Sequence, residues 1–435
     1  MRSKIVHKTT ARGRGFVAQT FDDTHAAPAG HASQAAPGHP HLLYISGEDH
    51  HFRIPFMVAL RDRGFRVTAA GSGDPAPFKR ADIEFHRFDF DRFVNPVADL
   101  VAIKTLSKLL ADIRPDIVQT CDTKPNYLVP LAARRLRGLP IVRLINGRGW
   151  VFSSRSPRAL ALRPIYRALY RLANRSTAAN VFEILEDLEF FGTRRPWRNL
   201  VIPGWVDIDA FDRALGASPP PGQLRREFNL GDAEIVATVT RMTRQKGIPT
   251  LLEAAAMVHR IRPGVRFLLV GPRESEGPLA ITQRELDRHA PYVIPVGPRS
   301  DVPAVLHCAQ AFAFPTEYGE GVPRVLLEAA LADCPIVTTD LAGCSDVVRD
   351  GWSGFLVPAR APHILADRIL TLLRDRETAK TMACRAATSV RQKFGLANIV
   401  ARYATLYAEI LDESYRGEFT ASERYRLGAS AVGET

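Results

Sequence analysis

The sequence is poor in lysine, in paired cysteines and in long apolar runs. Nine of its 58 basic residues are Lys, and the other 49 are Arg. The five cysteines, Cys121, Cys308, Cys334, Cys344 and Cys384, contain no C-x-x-C pair. A zinc framework and a disulfide ladder are therefore not readable, and a reducing compartment is expected. No apolar run reaches the roughly 18–20 residues that a membrane-spanning helix needs. Met1–Gly15 is basic but lacks the apolar core of a signal peptide. These absences argue against an integral membrane protein and against export by that route, so a cytoplasmic location is expected. What is present is globular in proportion: 435 residues, 46% hydrophobic and 24% charged. That length makes two domains the default, each able to bury its own core. The net charge of +12 rests on Arg, whose planar fork suits phosphate, although a genome-level bias toward Arg codons explains the ratio equally well.

Residues 1–41 have almost no apolar periodicity and read as a disordered extension. Their five histidines, at 7, 25, 31, 39 and 41, belong more naturally to a solvated tail than to a metal site. From Leu42 short apolar runs alternate with helical spacing. Strands are expected at 42–46, 66–70, 83–88, 116–120, 141–145 and 177–181, with helices at 53–63, 95–113, 124–137, 158–175 and 183–191. A second series expects strands at 234–240, 265–270, 292–295, 311–314 and 335–338. Its helices fall near 247–262, 279–289, 322–332 and 362–374, and two more follow at 376–393 and 396–413. Such alternation implies parallel sheets covered on both faces. The fold class is α/β: two Rossmann-like domains, 42–205 and 206–413, with a cleft between them and a tail over 414–435. The Pro/Gly-rich stretch Ser218-Pro-Pro-Pro-Gly222 puts the linker within 203–225. Ligands of such sheets bind at the carboxyl ends of the strands.

The most informative segment is Pro315-Thr-Glu-Tyr-Gly-Glu320-Gly-Val-Pro-Arg-Val-Leu-Leu-Glu328-Ala-Ala. A strand ends, a glycine-flanked acid follows, and a helix starts near Val322-Pro323, where proline suits the first turn. The N–H groups of Gly321 and Val322 should then face the cleft and, with the helix dipole, attract an anion. Glu320 and Glu328 are eight residues apart, roughly 12 Å along a helix, a scale that fits the two ends of a diphosphate-linked molecule. Arg241 and Lys246 follow the first strand of the second domain, where two cations would neutralise a diphosphate.

Three segments together, Arg241–Gly247, Glu320–Glu328 and Thr339–Pro358, resemble glycosyltransferase family 4. The wording E-G-V-P-R-V-L-L-E-A is most similar to members that extend polyprenyl-diphosphate-linked glycans in bacterial envelope synthesis. The resemblance implies the GT-B fold and transfer with retention from a nucleotide sugar, most often UDP-linked, with no metal or other cofactor. It implies that Glu320 contacts the donor sugar, Glu328 the ribose, and Arg241 and Lys246 the diphosphate. The acceptor would be a glycan or a polyprenyl-diphosphate-linked sugar.

On the acceptor side the segments Asp116–Pro125, Asn146–Trp150 and Pro203–Asp207 resemble the family's strand-end and junction motifs. Relatives often carry histidines where this sequence has Gln119 and Cys121, and Trp205 stands at a usual glycine position. Candidates for acceptor handling are Glu48, Asp49, His50 and His51 after the first strand, together with Lys124 and Arg148. A histidine there could accept a proton near neutral pH or simply pack. The pairs Asp89/Asp91 and Asp207/Asp209 have metal-binding spacing, but Asp207 or Asp209 is better placed to begin a helix. Residues 131–175 contain eleven Arg and no Lys, Asp or Glu. Arg158, Arg163, Arg167, Arg171 and Arg175 recur at helical spacing, a basic amphipathic face suited to anionic lipid on the inner side of the cytoplasmic membrane, or else a solvated face. No recognised nucleic-acid module is present. Competing readings are a GT-B nucleotide-sugar epimerase and a non-catalytic nucleotide- or lipid-binding protein. The donor-side assignment predicts that Glu320→Ala and Lys246→Ala each remove most sugar transfer from a folded chain; near-normal turnover by either variant would refute it.

Overall fold

The fold is that of a computed structural model, which describes residues 39–47, 50–90, 95–136, 138–154, 156–192, 199–273, 277, 279–319 and 321–415. The expected extension, apart from residues 39–41, and nearly all of the expected tail lie outside these residues. His41 is not part of a tail: it opens the first strand, and its ring lies 2.8 Å from the Thr68 hydroxyl.

Among the described residues the chain forms two wholly parallel sheets. The first comprises β1 (His41–Ser46), β2 (Arg66–Gly71), β3 (Glu84–Arg87), β4 (Ile117–Cys121), β5 (Ile141–Ile145), β6 (Ala179–Phe182) and β7 (Asn199–Val201). Its order is β3-β2-β1-β4-β5-β6-β7. The second comprises β8 (Glu234–Val239), β9 (Val265–Val270), β10 (Val293–Gly297), β11 (Ala311–Phe314), β12 (Ile336–Thr339) and β13 (Phe355–Val357), in the order β10-β9-β8-β11-β12-β13. The central strands are buried on both faces because helices cover both. In each sheet the strand order reverses beside the first strand, between β1 and β4 and between β8 and β11. That is the crevice where a doubly wound sheet receives its ligand.

Strands and helices follow the expected series closely. Two three-residue strands, β7 and β13, were not expected, because three residues are too few to show periodicity. The helix expected over 279–289 shrinks to Gln283–Asp287, with Thr282 and Glu285 forming a reciprocal cap at its start. The chain leaves the first sheet at Val206, inside the expected 203–225, and the proline-rich stretch itself lies beyond that crossing, at the junction of the helices Ile208–Gly216 and Pro221–Glu227, whose Phe211 and Leu224 are buried in the second core. Asp207 caps the first of them, accepting the Ala210 N–H at 2.9 Å.

The chain crosses between sheets twice, side by side. The Val206 N–H donates to the Phe394 carbonyl at 2.9 Å, and the Leu396 N–H to the Val206 carbonyl at 3.0 Å. The second crossing returns the chain to the first sheet. The expected boundaries put the final helix, Leu396–Tyr415, in the second domain, but its Ile399, Val400, Tyr403 and Tyr407 pack with Leu42, Tyr44 and Phe56 of the first. The reason is a complementary apolar face over β1, completed by the Tyr407 hydroxyl donating to the Gln119 Oε1 at 2.8 Å. Ile399→Ala is therefore expected to remove about 2–5 kcal/mol from the unfolding transition of the first domain; a shift under about 1 kcal/mol in a denaturant titration would contradict this packing.

Candidate functional site

The carboxyl ends of β1, β4, β8 and β11 open onto one cleft of about 920 Å³ between the sheets. On the second-domain wall, β8 leads through Arg241 to a short turn at Arg244–Lys246 and then to Gly247. Gly247 has φ +70°, and a Cβ there would stand 1.8 Å from the Pro315 carbonyl oxygen. Only glycine allows the two loops so close. The Glu317 N–H donates to the Gln245 carbonyl at 2.9 Å and joins them further. Lys246 is buried, with its Nζ 5.6 Å from the centre of the Phe314 ring, while Arg241 is exposed. Both line the cleft, as do Gly321, Val322 and Glu328.

Glu328 lies on the helix Arg324–Leu331 and pairs with Arg324 at 2.9 Å. Burial pushes its carboxyl above the ordinary range, and Arg324 opposes that shift. The helix begins two residues later than the expected 322, with Pro323 at its cap. Five of the donor-side residues singled out by sequence thus share one cavity. The sixth, Glu320, lies outside the described residues.

The first-domain wall differs more from expectation. Asp122, just past β4, accepts the Ser46 hydroxyl at 2.7 Å and the Gly47 N–H at 2.9 Å, tying the ends of β1 and β4 together. Arg53 and Glu183 line the cleft 3.9 Å apart. Neither was singled out from the sequence. The available signal was position: Glu183 immediately follows β6, a charged residue at the carboxyl end of a buried strand. Burial raises its carboxyl; Arg53 first, then the Val322 backbone N–H as a hydrogen-bond donor, pull it back. The Val322 N–H was expected to face the cleft unoccupied, and Glu183 instead reaches it from the other domain.

The other acceptor-side candidates do not converge. Glu48 and Asp49 lie outside the described residues. His50 is buried against Phe78, Phe85 and Tyr44, with ring centres 5.1, 5.9 and 5.6 Å away. Burial, then the charges of Arg53 and His51, lower it to about 3, so its ring is neutral and packs as an aromatic. His51 is exposed, stacked at 4.1 Å on Phe52. Lys124 is engaged by Asp99 at 2.5 Å. Arg148 is held by Glu186 and by Asp187 at 3.1 Å, 4.5 Å above the Phe190 ring. Of these four, none lines the cleft, because each is held by partners on its own domain. Gln119 is fully buried and committed to Tyr407. Burial pushes the Cys121 thiol up to about 12, which leaves it without nucleophilic character.

The Arg-rich region divides in two. Arg143 is fully buried, donating to Asn180 at 2.9 Å and to the Asn126 carbonyl at 3.1 Å. Arg163 folds back onto the carbonyls of Val151, Phe152 and Ser154. Arg158, Arg167 and Arg171 are exposed along the helix Pro157–Asn174, with Leu160 and Ile165 exposed among them. Val97, Leu100 and Val101 are exposed at the start of the helix Pro96–Ile113. No described helix is long and apolar enough to cross a membrane.

Comparison with known proteins bears on the same two halves. Residues 233–375 match the family model described as glycosyl transferases group 1, and residues 41–180 match glycosyl transferase 4-like. The chain is 26% identical over 377 residues to the N,N'-diacetylbacillosaminyl-diphospho-undecaprenol alpha-1,3-N-acetylgalactosaminyltransferase of Campylobacter jejuni, covering 85% of this chain and 98% of that one. It is 24% identical over 329 residues to the UDP-Gal:alpha-D-GlcNAc-diphosphoundecaprenol alpha-1,3-galactosyltransferase of Escherichia coli, covering 74% and 82%. Among solved structures, Anabaena HepE in complex with UDP superposes with a TM-score of 0.70 at 20% identity, over 85% of this chain and 99% of that one. Two family models, one over most of each sheet, and a relative matched over 98% of its own length show that this chain is a glycosyltransferase, and its likeness to solved structures gives it the GT-B fold.

Proposed function

We propose that the protein transfers a sugar, with retention, from a UDP-linked donor to a polyprenyl-diphosphate-linked glycan at an anionic membrane surface. The observation that carries the donor half is the convergence of Arg241, Lys246 and Glu328 on one cleft. Lys246 and Arg241 would hold the diphosphate and neutralise the charge that builds on it as the glycosidic bond breaks. Glu328 would accept the ribose hydroxyls. The acceptor hydroxyl enters on the leaving-group face, its oxygen bonds to the anomeric carbon, and its proton passes to the departing diphosphate. No protein nucleophile and no divalent cation is required, since the two side chains supply the positive charge.

The acceptor half is supported by the relatives from Campylobacter jejuni and Escherichia coli, whose names specify undecaprenyl-diphosphate-linked sugars. It is supported too by the surface where Arg158, Arg167 and Arg171 stand among exposed Leu160 and Ile165. Basic side chains contribute about 1 kcal/mol each near an anionic leaflet, and the apolar ones can enter the headgroup boundary. A peripheral association with the inner face of the cytoplasmic membrane follows from this reading.

The test is UDP release from a panel of UDP-sugars with an undecaprenyl-diphosphate-linked acceptor. Turnover should persist in EDTA and fall about 100- to 1000-fold in Arg241→Ala, the cost of removing one charge-stabilising donor. Release that requires added metal, or an isomerised free nucleotide sugar as product, would overturn the mechanism. In liposome sedimentation, replacing Arg158, Arg167 and Arg171 by Ala should abolish salt-sensitive binding to anionic vesicles; wild-type binding that is indifferent to anionic lipid would remove the membrane half.

A further inference from the structure

Glu183 belongs to the first domain, yet its carboxylate meets the second. It follows β6 directly, and its side chain is 10% exposed. A Cβ placed on Gly321 would stand 2.1 Å from its Oε2, and the Val322 N–H is a hydrogen-bond donor to it. Gly321 and Val322 lead into the helix Arg324–Leu331, where unpaired backbone N–H groups and the helix dipole favour a negative charge. Arg53, 3.9 Å away, steadies the carboxylate from its own side. The helix start therefore already holds an anion, and that anion is part of the chain. Lys246 and Arg241 line the same cleft. A diphosphate-sugar seated between them and the helix start would need the room and the N–H group that Glu183 takes.

We propose that Glu183 is a resident anion of the donor subsite, which a nucleotide diphosphate-sugar must displace in order to bind. The inference rests on the donor site described under the proposed function. It also accounts for glycine at 321: the carboxylate leaves no space for a side chain there, whatever the ligand. A carboxylate with one charge and one guanidinium partner is exchanged for a diphosphate with two cations and the helix start, so displacement is favourable but not free. If the carboxylate occupies its seat about nine-tenths of the time, the donor binds about ten-fold more weakly than to a vacated site.

This gives a direction that a merely structural residue does not share: removing the charge should tighten donor binding. Calorimetry with UDP and with UDP-glucose on the full chain reads it. Glu183→Gln keeps the shape and loses the charge, and its affinity for the ligand should rise about three- to ten-fold. Glu183→Ala should match or exceed it; because that variant leaves half-buried Arg53 without its carboxylate, its melting curve is followed alongside, and Glu183→Gln decides if it does not fold. Lys246→Ala is the control and should bind more weakly. Unchanged or weaker binding by folded Glu183→Gln, with Lys246→Ala still weakened, would overturn displacement and leave the donor site standing. Failure of the wild type itself to bind either ligand would overturn both.

Discussion

A Cβ on Gly247 would lie 1.8 Å from the Pro315 carbonyl oxygen, and no side chain relieves that. The loop after β8 and the loop after β11 are consequently one packed unit, with the Glu317 N–H bonded across to Gln245. Everything on the donor side is mounted on this contact. It brings Lys246 beside Phe314 and sets Lys246 and Arg241 on the cleft that Glu328 also lines. A cationic pair on a flexible loop would spend conformational entropy whenever it gripped an anion; on a close-packed base most of that ordering is complete before a ligand arrives.

The opposite wall is linked to this base by two adjacent crossings, at Val206 and at Phe394–Leu396, hydrogen-bonded to one another. The second crossing sends the final helix back over β1, so the first domain is built from two pieces of chain while the second is one continuous piece between the crossings. Gln119 shows the consequence. It sits at the buried heart of β4, and its amide serves the fold by accepting the Tyr407 hydroxyl of that returning helix. Glu183 shows the converse, a first-domain carboxylate whose neighbours include the backbone of the second. The cleft is thus defined by cross-domain contacts as much as by either sheet.

Strand and helix positions were legible because buried parallel strands are unbroken apolar runs and the helices between them are amphipathic. The donor residues were legible for a related reason. Arg241, Lys246 and Glu328 are polar residues placed just beyond such runs, and in a parallel sheet the carboxyl ends all face one way. The acceptor side followed the same rule and misled. His50 also follows a strand, but its ring turns into the aromatic cluster of Phe78 and Phe85. Lys124 and Arg148 follow strands too, and nearby carboxylates hold them on their own domain. Arg53 and Glu183 take the places that those residues were expected to fill.

By itself the sequence determined two parallel sheets, their approximate strands, and a basic pair with an acid at the strand ends of the second. These depend on local periodicity and on short spacing, which a linear chain records directly. The tertiary structure alone decided which sheet receives the last helix, which basic residues of 131–175 reach the surface, and which charged side chain of the first wall meets the helix start of the second. The first and the last of these depend on contacts between segments more than a hundred residues apart, such as Glu183 with Gly321 and Gln119 with Tyr407, and the second on pairings between neighbouring elements, such as Arg143 with Asn126 and Asn180. Burial and pairing at that range are set by packing, and no local pattern encodes them.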